Sequence, residues 1–212
     1  MTKVLYVTAH PLDHSVSSSL AVGKEFLEAY KNSNPDDEII LLDLYNMDIP
    51  YIDADVFSGW GKLASGSAFD QLSPESQAKV SRLGEIVDQF VSADKVVVVN
   101  PVWNFLFPPI LKAYIDAICV AGKTFKFNEA GVLVGLAADK KLLHIQASGS
   151  VLSEGPFQGF EFSHRYLTAI AQFIGIQSIE VVYVEGAGAS PDKGAEIKEK
   201  AMQKARELGK SF

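Results

Sequence analysis

The first residues whose types and spacing could do chemistry lie in AHPLDHSVSSSL, residues 9–20, where an apolar segment gives way to a helical pattern. Serine hydroxyls beside free backbone N–H groups, at the positive end of a helix dipole, can bind a phosphate-sized anion, and His10 and His14 could assist. The stretch has neither the G-x-G-x-x-G pattern nor a P-loop lysine. Taken alone, it is explained more simply by one serine that caps the helix while the others are solvated: Ser15, Ser17, Ser18 and Ser19.

A second loop, VWNFLF (102–107), follows the valine run of 96–99 and lies between two proline-containing pairs, 100–101 and 108–109. Prolines restrict the backbone at both ends, so we expect a tight, nonhelical course. Backbone donors and acceptors of such a loop could bind a flat polar ring while Trp103 and Phe105 flank its face. Aromatic packing beneath a loop explains this stretch equally well on its own, and Phe107 is expected in the core.

A third loop, QASGSVLSEGP (146–156), carries Gly149 and Gly155 among small residues. Glycine lets a backbone approach a ligand closely, although a plain turn is the simpler interpretation of this loop by itself. All three loops together point to one site.

Five short apolar runs without clean alternation are expected as strands that are covered on both faces, at 3–9, 38–43, 95–100, 142–147 and 178–185. Helical patterns lie between them, one of which opens with Ser73 as N-cap and Pro74 at the first helical position. The alternation predicts an α/β fold with a five-stranded, doubly wound parallel sheet and helices on both faces. Such sheets bind ligands at the carboxyl ends of their strands, where the three loops fall.

A phosphate at the first loop and a planar heterocycle between the other two describe a mononucleotide. On a sheet of order 2-1-3-4-5, flavin mononucleotide (FMN) is the natural candidate. The connection after the second strand is too long for a plain crossover, and its Phe57, Trp60 and Phe69 could cover something apolar.

Bulk composition excludes several classes of protein. A chain of 212 residues with a net charge of −7 and no cluster of lysine or arginine predicts a single domain, 1–212, that does not bind nucleic acid. Cys119 is the only cysteine, which excludes an intramolecular disulfide and a cysteine-built metal site and fits a reducing cytoplasm. No signal peptide and no apolar run of membrane-spanning length is present, so we expect no membrane association.

The sequence motifs give little support for hydrolytic or metal-dependent chemistry. No G-x-S-x-G elbow occurs, and no His/Asp/Glu group has ligand spacing, so no metal is expected. His144 lies inside an apolar strand, where we expect a hydrogen-bonded core imidazole, and His164 has no nucleophile at motif spacing. Cys119 is expected to be a small packed side chain.

An ordered set of motifs carries a resemblance over essentially the whole chain: KVLYVTAHP, SVSSSL, PVWNF, LKAYID, VAGKTFKF, ASGSVLSEGP and QFIG with VEG following. In this order and spacing they closely resemble the bacterial family of FMN-dependent NADH:quinone oxidoreductases and azoreductases. The resemblance implies a flavodoxin-like homodimer with one FMN per subunit near the interface. It also implies NADH or NADPH as electron donor and small-molecule quinones or azo compounds as acceptors.

The resemblance also assigns residues, position by position. Cofactor-binding positions would be His10, where many relatives have serine, and Ser17, Ser18, Ser19, Pro101, Val102, Trp103, Asn104, Phe105, Ala147, Ser148, Gly149 and Ser150. Ser148 departs from the arginine that is common in relatives, which puts any flavin or substrate contact of that guanidinium in doubt. Aromatic walls of the substrate pocket would be Trp60, Phe105, Phe127 and Phe173, some of them donated by the partner subunit.

The family's reaction is a ping-pong hydride relay through flavin N5, so no catalytic side chain is expected as an indispensable acid or base. A flavodoxin-type electron carrier that reacts poorly with nicotinamides is the alternative. The apolar insert at 51–72 and the lack of a dense acidic docking patch disfavour it. A flavin-binding regulatory protein without turnover is a third possibility, favoured only by the serine at 148.

Overall fold

Alternate residues of the central strand are buried on opposite faces of one sheet, which explains its uninterrupted valine run. Val96 and Val98 pack in one core cluster, and Val97 and Val99 pack in the other. The computed structural model describes the backbone of residues 1–212 and every side chain except that of Pro191.

Seven strands are present in the described chain, in the order β1 Lys3–Thr8, β2 Glu38–Asp43, β3 Lys95–Pro101, β4 Phe125–Phe127, β5 Leu133–Gly135, β6 Lys141–Ser148 and β7 Ser178–Glu185. Five of them form a parallel sheet of order β2-β1-β3-β6-β7, and β4 and β5 form a separate antiparallel hairpin. The predicted order 2-1-3-4-5 of the main strands is confirmed.

Six α-helices accompany the strands: α1 Ser18–Ser33, α2 Ala54–Ala64, α3 Pro74–Val91, α4 Pro109–Ile118, α5 Ser163–Phe173 and α6 Gly194–Ser211. Side chains of α1 and α6 pack on one face of the sheet, and those of α2, α3, α4 and α5 contribute to the core on the other. The expected cap at Ser73 is present, since its hydroxyl accepts from the Ser76 N–H, and Pro74 opens α3.

The sequence patterns did not predict α2 or the β4–β5 hairpin. Helix α2 lies in the long connection after β2. Asp53 is its N-cap, and the Asp53 carboxylate accepts from the backbone N–H groups of Asp55 and Val56. Two glycines weaken its helical pattern, and one of them, Gly59, packs so closely on α3 that an added Cβ would lie 2.9 Å from Val80 Cγ2.

Each strand of the sheet is followed by a helix that returns across it, so the chain alternates between the amino ends and the carboxyl ends of the strands. We call these two sides the amino edge and the carboxyl edge of the sheet. The loops after β1, β3, β6 and β7 emerge at the carboxyl edge. The β4–β5 hairpin follows α4 and precedes β6, so it lies toward the amino edge, where Ala137 N–H donates to the Ile174 carbonyl at the end of α5 at 2.8 Å. The three candidate loops therefore meet at one edge.

Within the described part of the chain, none of the helices combines the length and the apolar character that crossing a bilayer requires.

Candidate functional site

The first loop presents unpaired backbone donors at the start of α1. Ser17 is the N-cap, and its hydroxyl accepts from the Leu20 N–H at 3.3 Å and lies 3.0 Å from the Ser19 hydroxyl. The N–H groups of Ser18 and Ser19 have no hydrogen-bond acceptor among the described residues. These N–H groups lie at the positive end of the helix dipole, so this is a place where an anion would be stabilised.

His10 connects the first loop to the second. Its Nδ1 accepts from the Leu12 N–H at 3.0 Å, so in the neutral ring the proton resides on Nε2, which is left as a donor. The imidazole makes an edge contact with Trp103, with 6.2 Å between ring centroids. His10 lines a separate cavity of about 610 Å³ beside α1, and it contacts the second loop through Trp103.

The second loop is a strained tight turn. Trp103 and Leu106 exchange two backbone hydrogen bonds, at 2.7 and 3.1 Å, around Asn104 and Phe105, whose φ angles are 50° and 70°. Two positive φ values are typical of a type I′ turn, a geometry that asparagine tolerates and phenylalanine rarely adopts. Backbone strain of this kind costs about 1–3 kcal/mol per residue and clusters at functional sites.

The aromatic residues of this turn divide as the sequence predicted. Phe107 is buried against Tyr166, with ring centroids 5.6 Å apart, whereas Trp103 and Phe105 are 41% and 43% exposed. The Phe105 ring stacks on that of Phe160, which follows the third loop, with ring centroids 5.0 Å apart. Two large aromatic faces thus remain open at the carboxyl edge, where a planar ligand could use them.

A groove of about 260 Å³ lies where the three loops meet. It is lined by Ser18 of the first loop, by Pro101 at the end of β3 and Val102 of the second loop, and by three residues of the third loop: Ala147, Ser148 and Gly149. A hydrogen bond from Val102 N–H to the Ala147 carbonyl at 2.7 Å joins its two main walls. Six of the predicted cofactor-binding residues therefore line one groove.

The remaining wall of the groove was not predicted: Val184, Ala187, Gly194 and Lys198, at the end of β7 and the start of α6. Gly188 sits so close to the third loop that an added Cβ would lie 3.0 Å from the Gly149 carbonyl oxygen. The glycine-rich stretch EGAGAS after β7 was the available signal, because small residues permit such close approach of two backbones.

Other predicted residues lie around the groove. Ser17 and Ser19 are buried beneath the start of α1, and Ser150 accepts a hydrogen bond through its carbonyl from the Ser148 hydroxyl at 2.7 Å. The Ser148 hydroxyl thus stabilises its own loop. The first loop thus offers free N–H groups for a phosphate, and the other two offer backbone polar groups and exposed aromatic faces for a planar ring. This combination fits FMN.

The four predicted aromatic walls do not meet within one chain. Phe105 lies at the carboxyl edge, whereas Phe127 and Phe173 are linked through Phe125, at 6.2 and 4.7 Å, at the hairpin near the amino edge. Trp60 is half-buried on α2 beside Phe57.

A buried polar cluster lies beneath the second and third loops, which we define as Asn100, His144, Gln146, Glu161 and His164. His144 was expected as a hydrogen-bonded core imidazole. The structure confirms this, since its side chain is fully buried between Asn100 and His164. The rest of the cluster was missed, because its members are far apart in sequence.

Two other sequence-based expectations concern metal binding and the Cys119 thiol. Among the described residues, no three His, Cys, Asp or Glu side chains are grouped so as to hold a metal ion. Cys119 caps the end of α4, and burial, together with the negative charge of Asp116, raises the pKa of its thiol to about 11. The thiol is therefore a poor nucleophile near neutral pH.

Comparison of the sequence with known proteins gives full-length matches. Residues 2–208 match a family model described as a flavodoxin-like fold. A protein of Bacillus pumilus (strain SAFR-032) named FMN-dependent NADH:quinone oxidoreductase is 59% identical over 212 residues, with both chains fully covered. FMN-dependent NADH:quinone oxidoreductase 2 of Bacillus subtilis (strain 168) is 56% identical over the same length, again with full coverage of both.

Solved structures agree with these matches. An azoreductase from Bacillus anthracis str. Sterne superposes with a TM-score of 0.92 at 37% identity, covering 100% of both chains. An FMN-dependent NADH-azoreductase from Bacillus anthracis str. Ames Ancestor, solved in complex with FMN, superposes with a TM-score of 0.91 at 35% identity and covers 98% of both chains.

Proposed function

Because this chain belongs to the FMN-dependent NADH:quinone oxidoreductase and azoreductase family, as its motifs predicted, we propose that it is an FMN enzyme that oxidises NADH and reduces quinones and azo compounds. One FMN-binding domain would span residues 1–212. The observation that carries this proposal is the groove in which Ser18, Val102 and Ser148, one residue from each predicted loop, come together.

The first loop would hold the phosphate group. The unpaired N–H groups of Ser18 and Ser19 and the Nε2–H of His10 are donors, and the helix dipole adds favourable charge. The hydroxyls of Ser17 and Ser19 lie at the same helix start; one of them donates to the other, which leaves one hydroxyl proton for the phosphate.

The second and third loops would hold the flavin ring. Val102 and residues 147–149 line the groove, and their backbone, with that of the adjoining residues 103–105 and 150, would supply polar contacts. The exposed rings of Trp103 and Phe105 would shield the flavin ring from water. The chemistry that bound FMN would supply is two-electron transfer through flavin N5, from NADH to the acceptor in a ping-pong sequence. The chain's own part is orientation and exclusion of water, and protons for the product would come from solvent.

We further propose that the active unit is a homodimer whose second subunit completes the acceptor pocket. Phe127 is 61% exposed on the β4–β5 hairpin, among the exposed apolar residues Val132, Leu133 and Leu136. Such a patch is typical of an interaction surface. The pocket beside Phe105 would then be lined, on the other side of the interface, by Trp60, Phe127 and Phe173. The cytoplasm remains the proposed location, on the sequence argument alone.

Anaerobic spectroscopy tests the proposed reaction. The purified protein should bind FMN and show its absorption spectrum, NADH should bleach that spectrum rapidly, and a quinone should restore it. Dithionite serves as the control reductant, because it bleaches any accessible flavin. Bound FMN that responds to dithionite but not to NADH would favour a flavodoxin-type carrier, and a protein that does not bind FMN would overturn the proposal.

A further inference from the structure

The polar cluster lies directly below the turn that would hold the flavin ring. Asn100 precedes Pro101 at the end of β3, and His144 lies on the same face of the neighbouring strand β6. Both side chains are fully buried, although both are polar. Buried polar side chains are nearly always hydrogen-bonded, so the contacts of Asn100 and His144 specify their orientations. Gln146 Oε1, in the same cluster, is a buried oxygen without a hydrogen-bond partner among the described residues.

The orientation of the Asn100 amide follows from its neighbours. Its Nδ2 lies 2.9 Å from the Pro101 carbonyl oxygen, which can only accept, and 3.4 Å from the Ser163 hydroxyl. The Oδ1 atom therefore faces His144 Nε2, at 2.8 Å. Because Oδ1 is an acceptor, His144 must carry its proton on Nε2.

The two histidines fix one another in turn. Burial and the neighbouring His164 lower the pKa of His144, so its ring is neutral and its Nδ1 is an acceptor. His164 Nδ1 lies 3.0 Å from that atom and must donate to it. His164 Nε2 is then free to accept from the Thr168 hydroxyl at 3.4 Å. One arrangement of protons satisfies the whole chain of contacts.

Glu161 anchors the far end of the cluster. Its buried carboxylate accepts from the N–H groups of His164 at 2.7 Å and Arg165 at 3.1 Å, and from the Gln146 side chain at 3.1 Å. The contacts from Glu161 thus fix the start of α5 and the place of the His164 ring. The His164 backbone is thus fixed by Glu161, and hydrogen bonds run from the His164 ring through His144 and Asn100 to the Pro101 carbonyl.

We propose that His144 is a positioning residue for the flavin-binding turn. Its Nε2–H holds the Asn100 amide, which in turn holds the Pro101 carbonyl, the last strand position before the loop at 102–105. This inference rests on the proposed function, because it assigns His144 a role in FMN binding. His144 itself does not reach the groove and is not a catalytic residue.

Two variants at this position separate hydrogen bonding from packing. H144Q retains a side-chain N–H close to the place of Nε2, whereas H144L removes every donor. We expect the Kd for FMN, measured by quenching of flavin fluorescence, to rise roughly tenfold or more in H144L and to stay within about threefold of the wild type in H144Q. Melting temperatures of the FMN-free proteins, measured in parallel, report stability separately.

The same experiment can overturn the inference. Two results would overturn the inference and leave the proposed function intact. The first is equal FMN affinity of folded H144L and the wild type, and the second is FMN binding by H144Q that is as weak as that of H144L. Failure of the wild type to bind FMN would overturn the proposed function and the inference together.

A measurement on the unmodified protein keeps the inference testable even where H144L does not fold. Histidine ¹⁵N NMR near neutral pH should show His144 protonated on Nε2 alone and His164 protonated on Nδ1. A proton on Nδ1 of His144, or a charged His144 ring, would contradict the hydrogen bond to Asn100 and overturn the proposal.

Discussion

The amino and carboxyl edges of the five-stranded sheet differ in how their polar groups are paired. At the amino edge, Asp37 accepts from Thr2 N–H at 2.8 Å and from the Tyr30 hydroxyl at 2.7 Å, and the Lys95 ammonium donates to that hydroxyl at 2.8 Å. At the carboxyl edge, the N–H groups of Ser18 and Ser19 are left without acceptors in the described structure. One edge pairs its polar groups with one another, and the other leaves two backbone donors unpaired within the described chain, which under the proposed function would bind the phosphate of FMN.

Glycines allow close backbone packing at both edges, as at Gly149 and Gly188, but the described non-glycine residues with positive φ lie only at the carboxyl edge. Near the amino edge, Gly135 and Gly175 pack backbone against backbone. At the carboxyl edge, the non-glycine residues Asn104 and Phe105 take up left-handed conformations. Strain of that kind persists where the surroundings enforce it, commonly at binding sites. Substitutions at the amino edge should therefore change stability, and those at the carboxyl edge should change FMN affinity.

The largest expected effect is on stability, from Gly135→Ala. An added Cβ would lie 2.3 Å from the Gly175 backbone nitrogen, so the hairpin must shift, at a cost of about 3 kcal/mol in the free energy of unfolding. Urea denaturation of the FMN-free protein measures this change. Gly84→Ala in α3 is the matched control, because nothing lies within 4 Å of its added Cβ and the change should stabilise the helix slightly. Equal stabilities would show that the hairpin is not tightly packed.

The next largest effect is expected on ligand affinity, from Ser18→Asp. A carboxylate at the start of α1 would compete with the phosphate for the free N–H groups, and like-charge repulsion should weaken FMN binding roughly 100-fold. Stability of the FMN-free protein should rise slightly, since the carboxylate favours the helix dipole. Fluorescence titration and thermal melting measure the two effects. Ser18→Asn, which adds no charge, is the control, and unchanged affinity of the aspartate variant would remove α1 from the site.

Acid should affect the carboxyl edge before the amino edge. Burial lowers the pKa values of His144 and His164, while that of Asp37 is lowered chiefly by the Tyr30 hydrogen bond. Both histidines therefore bind protons more readily in the unfolded chain. Stability should be full above about pH 6.5 and fall below it by up to about 1.4 kcal/mol per pH unit for each histidine. The Asp37 contribution should persist until the pH falls below about 3.9.

The free energy of unfolding, measured against pH by urea denaturation, checks this order. H144Q removes one of the two titrating groups and should have a shallower slope below pH 6.5. An unchanged slope in that variant would mean that His144 does not resist protonation in the folded protein.

The smallest expected effect distinguishes backbone from side chain at position 104. Asn104→Ala removes the short polar side chain that lets asparagine tolerate a φ of 50°, so it should cost about 1 kcal/mol of stability and weaken FMN binding a few-fold. Asn104→Gly tolerates the same φ and should retain most of the affinity. Equal FMN binding by the alanine variant and the wild type would remove the second loop from the site.

Much of this architecture is readable in the sequence, because strands buried on both faces produce continuous apolar runs such as that of β3. The three candidate loops that meet at the carboxyl edge were also predictable, since their serines, prolines and glycines have local backbone consequences. Helix α2 was missed because Gly59 and Gly61 interrupt its pattern. The cluster around His144 was missed because Asn100 and Glu161 reach it only through the fold, and no local spacing reports such long-range contacts.

The position of the β4–β5 hairpin has a consequence for how the enzyme responds to dilution. Strand β6, with 8 residues, separates the two edges of the sheet by roughly 25 Å, so a subunit's Phe127 stands far from the groove of the same subunit. Under the proposed dimeric arrangement, each pocket is completed only by association. Turnover per subunit then follows mass action and falls once the protein is diluted below its dimer dissociation constant, while FMN held by the three loops of a single chain stays bound.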